Sequence, residues 1–443
     1  MVDVITPTEL YISYVCKSIP VIIEGYWDEY IEDPTFRQEW TTMGLSERWD
    51  EWAELRREKK RKEQLHAEQG KQTKDVHTEE GRKDQPNGGE SDLQNEHGDR
   101  GANKQEDEDP SLVTAFFSQD NYFQRLIRFP GDGYRYVYPH MQRMGFRDFV
   151  ELFEDQERRQ KSLDDHNSEA EQKELSEYVA LKPLPVYERT DGSDDSFGKY
   201  LGRSLPPSPI DGLLDPSELD LINVWIQGRG KVSRLHQDTG NNFLGIISGS
   251  KTLFLLDQSK YRENVVYAGK YPKSSWTRDP ESEKYRLKKA ERGAVRHFSL
   301  VDDVLRPDLD RFPKFATVVE GKGLIRADLY PGDVLFLPAL WWHEVYSDVP
   351  TGSYDTSTGT EGANVAINYW FDANPVLRRV LSQLQEKVTD GLDWVEDGRE
   401  LDAEFERVAR INRDRRLRGG EDIRWLKGQA LKGRRRDGIN SAQ

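Results

Sequence analysis

Two side chains that commonly bind metal ions lie two residues apart in the sequence. His236 and Asp238 fall in the segment 232–238, whose apolar pattern predicts a β-strand. Side chains along a strand repeat every two residues, so both project from one face and can bind one ion. Imidazole and carboxylate ligands together are typical of non-haem iron sites, which also need a second histidine and leave coordination positions open. We therefore expect a two-histidine, one-carboxylate iron centre.

The second histidine is selected by its surroundings. Six of the other histidines lie in polar segments or outside the predicted strands of the main β region: His66, His77, His97, His140, His166 and His297. His343 remains, and it follows a tight turn, a short apolar strand and a Trp-Trp pair. His97 and Asp99 repeat the His-x-Asp spacing inside a polar segment, so spacing alone is weak support. The strand contexts of His236, Asp238 and His343 together favour an iron site over separate structural roles.

These residues belong to a predicted antiparallel β domain. Eight short segments separated by Gly, Pro and Asp turns are predicted as strands: 221–227, 232–238, 243–248, 251–256, 324–329, 334–337, 343–347 and 365–371. This pattern is typical of a β-sandwich or barrel. Two long excursions, 261–323 and 348–364, interrupt the strands, and we expect them at the rim of the domain.

The rest of the chain adds layers and insertions to this core. The predicted parts are an N-terminal part of the domain at 1–54, a charged insertion at 55–110, helices and strands at 111–218 with a polar insertion at 154–175, the β core at 219–375, and C-terminal helices with a basic tail at 376–443. No aromatic residue occurs between Trp52 and Phe116. A segment of this composition buries little apolar surface, so we expect 55–110 to be a disordered, solvated insertion with helix at its start.

Composition narrows the classes of function. The formal charge of -16 disfavours general binding to nucleic acid or anionic membranes. The one cysteine excludes an internal disulfide and fits a reducing compartment. Neither a signal pattern nor a membrane-spanning apolar stretch is found, so we expect a cytoplasmic protein, with nuclear targeting by Arg434, Arg435 and Arg436 as the minority alternative.

An ordered set of motifs carries a family resemblance from about residue 19 to 384. The motifs are Leu235-His236-Gln-Asp238, Asn242, Gly249-Ser-Lys251, Pro331 to Pro338 followed by Trp342-His343, and Ala366-Ile-Asn368-Tyr-Trp370, with Ile222-Asn223-Val-Trp225 and Arg311-Phe-Pro-Lys-Phe315 beside them. The sequence resembles the Jumonji-C (JmjC, cupin-like) hydroxylases, most of all the small members of the lysyl hydroxylase 7 type, and in its last two motifs the arginyl hydroxylase of this group. The resemblance implies a mainly β fold with flanking helices, built on a double-stranded β-helix or jelly roll.

The same resemblance assigns roles to individual residues. Fe(II) would be held by His236, Asp238 and His343, and O2 and 2-oxoglutarate would be co-substrates. The residues implied in binding 2-oxoglutarate are Tyr178, Ser233, Asn242, Lys251 and Asn368. Lys251 would pair with the distal carboxylate, with Ser233 and a tyrosine beside it. Tyr187 is a rival to Tyr178 for that tyrosine, because the sequence around both departs from the family pattern.

Several functions remain open at this level. We expect an oxygenase that hydroxylates a protein side chain, with lysine first, and a protein substrate with a basic target residue. The alternatives are an arginyl hydroxylase, a histone demethylase, an RNA-base hydroxylase, and a non-catalytic cupin module. The last is disfavoured because all three iron ligands and Lys251 are present. A homodimer through the C-terminal helix and a peptidase activity are further options that the residues leave undecided.

Overall fold

A computed structural model describes most of the predicted domain. The residues it describes are 5–79, 109–118, 124–165, 178–188, 196–210, 219–228, 230–279, 282, 284–348 and 363–371. The predicted C-terminal helices, the basic tail and the dimer contact assigned to them lie outside these residues, as do most of the second excursion and His97.

Short helices and one-turn segments surround the sheets, together with two longer helices. The helices are α1 (Pro7–Leu10), α2 (Asp28–Glu32), α3 (Pro34–Glu39), α4 (Thr42–Glu79), α5 (Phe146–Asp165), α6 (Phe197–Leu201), α7 (Glu263–Val266) and α8 (Ala316–Glu320), with a π-helical segment at Tyr11–Val15 and 3-10 turns at Gly202–Ser204 and Pro313–Phe315. None of the described helices is long and apolar enough to cross a membrane.

The strands number seventeen in the described residues. They are β1 (Val21–Ile23), β2 (Leu112–Ser118), β3 (Arg125–Phe129), β4 (Gly133–Tyr138), β5 (His140–Gly145), β6 (Tyr178–Leu181), β7 (Leu184–Glu188), β8 (Leu219–Gln227), β9 (Lys231–His236), β10 (Asn241–Ser248), β11 (Ser250–Leu256), β12 (Tyr271–Arg278), β13 (Tyr285–Val295), β14 (Ile325–Leu329), β15 (Val334–Leu337), β16 (Trp342–Asp348) and β17 (Asn364–Phe371). All eight strands predicted for the β core are present.

Two facing sheets form the core. The larger has the order β1-β15-β10-β17-β8-β7 and the smaller the order β14-β11-β16-β9, and all their pairings are antiparallel. Strands that follow one another in sequence, such as β8 and β9 or β10 and β11, lie in opposite sheets. This is the connectivity of a double-stranded β-helix, so the predicted fold class is confirmed.

The apolar core occupies three layers, one between the sheets and one outside each sheet. β10 contributes to the layer between the sheets and to the layer outside the larger sheet, because its side chains alternate in direction. Leu244 and Ile246 pack between the sheets, whereas Phe243 and Ile247 pack with the N-terminal helical layer. Burial on both faces explains why this strand is continuously apolar rather than alternating between polar and apolar residues.

Two tryptophans join the N-terminal helices to the segment 204–207, and one of them also packs on the larger sheet. The indole N–H of Trp27 donates to the carbonyl of Pro207, and that of Trp40 donates to the carbonyl of Ser204. Both rings are almost completely buried. Trp27 lies against β10 at Gly245, where a Cβ atom would be 2.0 Å from the ring. Only glycine allows the ring to lie this close to the strand.

The helix expected at the start of the 55–110 insertion is present, as the second part of α4. α4 continues to Glu79, and α5 continues to Asp165, through the first part of the predicted polar insertion at 154–175. The start of α4 is anchored by buried residues including Trp49 and Trp52, which supplies the nucleus that an isolated helix lacks. Beyond them Glu, Lys, Arg and Gln dominate, and these residues have high intrinsic helix propensity. The polar composition of this part of α4 therefore does not prevent it from forming a helix.

The first long excursion, 261–323, contributes a third sheet beside the core. Its strands β12 and β13 form a hairpin, and β12 pairs in parallel with β4 from the N-terminal region. The resulting order is β13-β12-β4-β3, and a separate small sheet has the order β5-β2-β6. A bridge between His236 and Phe298 joins the end of the excursion to β9. The excursion thus lies at the predicted metal site, as expected for the rim of the domain.

Candidate metal centre and co-substrate chambers

The three predicted metal ligands converge at one end of the smaller sheet. β9 and β16 pair side by side, with His236 opposite His343, and Asp238 follows directly after β9. Asp238 Oδ2 lies 3.8 Å from His236 Nε2 and 3.4 Å from His343 Nε2. The three ligand atoms all lie within 4.8 Å of one another. The structure therefore brings together the residues that the sequence predicted from separate segments.

Backbone carbonyls set the orientation of both imidazole rings. His236 Nδ1 lies 2.6 Å from the carbonyl of Arg234, and His343 Nδ1 lies 2.9 Å from the carbonyl of Trp341. A carbonyl can only accept a hydrogen bond, so each Nδ1 must carry the proton. With the proton on Nδ1, the Nε2 atom of each ring is the one that can serve as a metal ligand, and it faces the Asp238 carboxylate. Two lone pairs and a carboxylate facing one another repel unless a cation lies between them, which is the donor set of a divalent metal.

The charge states of these groups fit metal binding. Burial, together with the neighbouring His343, lowers the pKa of His236 to about 4, so this ring is neutral at pH 7. For Asp238 burial raises the pKa, but the neighbouring His343 and His236 outweigh it and hold the pKa below its usual range. A neutral imidazole and an ionised carboxylate are the forms that bind metal ions.

Contacts behind the ligands hold them in place. Glu344 is completely buried. Its carboxylate accepts one hydrogen bond from the backbone N–H of Leu235 at 3.1 Å and a second from the Tyr346 hydroxyl. It thereby links β16 to β9 between the two histidines. The Phe298 ring stacks on His236 with a centroid distance of 5.2 Å. These contacts of Glu344 and Phe298 restrict the movement of the strands that carry His236 and His343.

Two connected chambers open from His236. The inner chamber lies between the sheets and contains the metal ligands; its lining includes Trp225, Gln227, Ser233, Asn242, Lys251, Val345, Asn368 and Trp370. The outer chamber lies beside β9; its lining includes Phe116, Gln124, Ala180, Leu181, Pro183, Trp225, Gln227, Lys231, Ser233 and Phe298. Trp225, Gln227, Ser233 and His236 form walls of both.

A buried lysine lies in the inner chamber, away from the metal ligands along the strands. Lys251 Nζ donates to Gln227 Oε1 at 2.5 Å and to Ser347 Oγ at 2.6 Å, and Ser347 in turn donates to Gln227. Burial lowers the pKa of Lys251 to about 7. The inner chamber therefore has a metal-binding end and a cationic end, which suits a ligand that carries a chelating group and a distal carboxylate.

The predicted 2-oxoglutarate residues divide into two groups. Ser233, Asn242, Lys251 and Asn368 all line the inner chamber, and Asn368 Nδ2 donates to Asn242 Oδ1 at 2.8 Å. The structure does not place the predicted tyrosine there. Among the residues described as lining the two chambers, neither Tyr178 nor Tyr187 occurs.

The two tyrosines pack elsewhere. Tyr178 packs with Phe116 and Ala180, two residues that line the outer chamber. Tyr187 packs against the large apolar cluster outside the larger sheet.

Several chamber residues were not predicted from the sequence. Gln227, Lys231 and Ser347 each lie two or four residues from a predicted site residue or from Trp225 on the same strand, so the period of two could have identified them. His297, which is not among the lining residues of either chamber but contacts the ligand segment, could not be found this way. It follows β13, and its backbone carbonyl accepts from the N–H of Gln237 at 3.0 Å, between the two ligands on that segment.

The chamber walls contain polar atoms that suit a polar ligand. Trp225 Nε1 is a buried donor and Asn368 Oδ1 a buried acceptor, and neither has a hydrogen-bond partner among the described residues. Buried polar atoms without partners are costly and usually indicate a bound group. Together with the ligand triad and Lys251, they fit a divalent metal with a 2-oxo acid that carries a second carboxylate.

Comparison with known proteins places this fold and site in one family. A family model described as a cupin-like domain matches residues 7–376. The chain therefore belongs to the cupin-like, JmjC family, and the resemblance predicted from its motifs is confirmed at that level.

Three curated proteins show how far the similarity extends. Lysine-specific demethylase JMJ32 of Arabidopsis thaliana is 28% identical over 157 residues, which are 34% of this chain and 42% of that protein. The human bifunctional peptidase and (3S)-lysyl hydroxylase JMJD7 is 28% identical over 177 residues, 39% of this chain and 49% of that protein. Lysine-specific demethylase 8 of Xenopus tropicalis is 30% identical over 124 residues, 28% and 22% of the two chains. The match spans less than half the length of each relative.

Proposed function

We propose that this protein is an Fe(II)- and 2-oxoglutarate-dependent oxygenase that hydroxylates a side chain of a protein substrate, with lysine as the first candidate target. The observation that carries the proposal is the convergence of His236 Nε2, His343 Nε2 and Asp238 Oδ2 next to a chamber that ends at Lys251. The lysyl hydroxylase among the similar proteins supports the choice of target.

The bound groups and the protein have separate tasks in this proposal. When bound, Fe(II) with 2-oxoglutarate and O2 supplies the oxidising power to insert one oxygen atom into a C–H bond, while 2-oxoglutarate is converted to succinate and CO2. His236, His343 and Asp238 would hold the metal and leave positions open for the co-substrates. Lys251 and Ser233 would orient the distal carboxylate, and the buried chamber would exclude water from the reaction.

Lysine demethylation is a second candidate. A cluster of three aromatic rings lies beside His236. The centroid of the Tyr136 ring is 4.6 Å from that of Phe298, which stacks on His236, and 4.8 Å from that of Tyr138. Aromatic faces attract methylated ammonium groups, and two of the similar proteins are named lysine-specific demethylases. Hydroxylation of an N-methyl group would use the same metal site, with loss of the methyl group as formaldehyde.

A site-directed comparison tests the oxygenase proposal. Purified protein with Fe(II) is expected to convert 2-oxoglutarate to succinate, and Asp238→Ala is expected to lose both turnover and metal binding because two imidazoles alone bind iron weakly. His97→Ala is the matched control, since it removes the histidine of the other His-x-Asp motif and should change neither. Full turnover by Asp238→Ala would refute the assigned site. Wild-type protein that binds no metal would favour a non-catalytic module.

Mass spectrometry separates the candidate reactions. Proteins from cells with and without the enzyme are compared for a gain of one oxygen on lysine or arginine, or for loss of a methyl group from methyl-lysine. Loss of methyl groups without oxygen gain on lysine or arginine would favour the demethylase, and modified RNA bases without modified proteins would overturn both protein-directed reactions.

A further inference from the structure

The third sheet, with the order β13-β12-β4-β3, carries far more positive than negative charge. Its four strands contain a single acidic residue, Glu291. Their basic residues are Arg125, Arg128, Arg135, Lys273, Arg278, Arg286, Lys288, Lys289 and Arg292. The whole chain has a formal charge of -16, so the sign of this sheet is opposite to that of the protein. A concentration of one sign creates a local potential that attracts groups of the opposite charge.

Protection of sheet edges does not explain this charge. Lysines often lie on edge strands because they discourage pairing with another chain. In the third sheet the two inner strands are basic as well, with Arg135 on β4 and Lys273 and Arg278 on β12. The edge strand β14 of the smaller core sheet carries both signs instead, and its Arg326 and Asp328 form an ion pair at 2.9 Å. The single sign of the third sheet therefore indicates a binding role.

Strand pairing places three of the basic residues on one face of the sheet, because paired residues on neighbouring strands share a face. They are Arg128 of β3, Lys273 of β12 and Lys288 of β13, and we call them the basic face. Each is paired, directly or through one residue of β12, with a tyrosine of β4, and the three tyrosines are Tyr134, Tyr136 and Tyr138.

The basic face is accessible and its charge is not neutralised. Arg128 and Lys288 are exposed, and Lys273 is half-buried. The charged groups of these three side chains have no ion pair within the described part of the chain. On the opposite face of β13 the neighbouring Lys289 differs, because it forms an ion pair with Asp132. The charge of the basic face is thus free to bind an acidic partner.

The basic face adjoins the metal centre through aromatic rings. The Tyr136 ring packs on Phe298, and Phe298 stacks on the metal ligand His236. The Tyr136 hydroxyl donates to Gln124 Oε1 at 2.9 Å, and Gln124 lines the outer chamber that opens from His236. Lys273 pairs with Tyr136 and therefore lies directly beside these rings. A chain segment bound on the basic face would continue toward the metal centre.

The distances fit one extended peptide. Successive ring centroids from His236 to Phe298, Tyr136 and Tyr138 are 5.2, 4.6 and 4.8 Å apart. Lys288 lies two strands away from Tyr138, which adds about 10 Å. The path from the metal ligand to Lys288 is therefore about 25 Å long, and an extended chain covers it in about eight residues.

We propose that the basic face binds acidic residues of the protein substrate, within about eight residues of the side chain that is modified. The inference rests on the proposed function and deepens it, because it names the chemistry of the substrate segment beside the target. Nucleic acid is the less favoured partner, since the charge of the whole chain repels phosphates. The three basic residues take no part in the metal or co-substrate sites.

Two matched peptides test the inference. Both are fluorescently labelled, rich in serine and glycine, and contain one lysine. About five to eight residues to either side of that lysine, one peptide has glutamates and the other has glutamines. Binding is measured by fluorescence anisotropy at low salt, with Mn(II) and 2-oxoglutarate present and O2 absent. The wild type is expected to bind the glutamate peptide about fivefold more tightly, as for several exposed ion pairs, and high salt should remove the difference.

Variants assign this preference to the basic face. When Arg128→Gln, Lys273→Gln and Lys288→Gln are combined, the affinities for the two peptides should differ less than about twofold. The matched control removes the same charge from exposed residues of α4 and should keep the preference; it combines Lys60→Gln, Arg61→Gln and Lys62→Gln. If the combined basic-face variant does not fold, Lys288→Glu changes one exposed side chain and should still reduce the preference.

The outcomes separate this inference from the proposed function. Equal affinity of the wild type for both peptides, or a preference that the basic-face variant retains, would overturn the inference. A single-stranded oligouridine that binds more tightly than the glutamate peptide, through the same residues, would overturn it in favour of nucleic acid. Succinate formation without peptide is measured on the same samples, and the basic-face variant should retain it. A wild type that forms no succinate contradicts the oxygenase, whereas the peptide comparison still tests the basic face.

Discussion

Binding of 2-oxoglutarate should weaken steeply as the pH rises above neutral, because Lys251, the lysine proposed to bind its distal carboxylate, loses its charge. Burial lowers the pKa of Lys251 to about 7 in the free protein. Below that pH the ammonium form dominates and binds directly. Above it, the neutral amine must take up a proton when the carboxylate binds. A lysine with a lowered pKa thus favours binding at low pH.

The size of the effect follows from this pKa. If the bound carboxylate keeps Lys251 charged, the apparent Kd rises by the factor 1 + 10^(pH − 7). That factor is about 2 at pH 7, about 11 at pH 8 and about 100 at pH 9, so the affinity should fall roughly 50-fold between pH 7 and 9. The carboxylates of 2-oxoglutarate are fully ionised over this range and contribute no change of their own.

Calorimetry on the Mn(II)-loaded protein measures both the affinity and the proton uptake. Binding enthalpies measured at pH 8.5 in two buffers with different ionisation enthalpies should reveal the uptake of nearly one proton per 2-oxoglutarate. Lys251→Arg is the matched variant, because a guanidinium keeps its charge throughout this pH range. The Kd of this variant for 2-oxoglutarate should therefore not change between pH 7 and 9, even if its affinity is lower than that of the wild type. An affinity that is constant from pH 7 to 9 in the wild type, or an equal slope in Lys251→Arg, would refute this reasoning.

Two further predictions concern the structures that support the site. Gly245→Ala should lower the free energy of unfolding by about 2–3 kcal/mol, measured by chemical denaturation, because its Cβ would overlap the buried Trp27 ring. The same substitution made in a Trp27→Phe background should lower the free energy of unfolding by less, because the smaller ring leaves room for the Cβ. Glu344→Ala should cost about 3 kcal/mol and weaken metal binding, because the Leu235 N–H and the Tyr346 hydroxyl lose their buried acceptor. Glu344→Gln should cost much less since it keeps one carbonyl oxygen, and equal stability of both variants would contradict the bracing role.

Local pattern in the sequence was sufficient for the strands of the core and for the metal ligands. The alternation and the turn residues that define a strand act over a few residues, so β8 to β11 and β14 to β17 could be predicted from their own segments. His236 and Asp238 share a face for the same reason. His343 required only the recognition of a second strand of this kind.

The insertions show where composition alone misleads. Low apolar content indicated disorder from residue 55 with helix only at the start, and α4 continues to Glu79 because its buried first turns nucleate a segment of strong helix formers. The sequence contained the propensity, but the decision depended on the tertiary contacts of Trp49 and Trp52 with the rest of the N-terminal layer.

Short-range spacing in the sequence predicted the core strands and the three candidate metal ligands, and the family resemblance of its motifs implied the fold class and most of the polar residues in the inner chamber. Only the tertiary structure decided which strands lie side by side. That pairing places Lys231, Ser347 and Lys251 in one row, and the facing of the two sheets brings Gln227 onto Lys251. Strand pairing joins residues that are distant in the chain, and the period within a single strand contains no information about its neighbours.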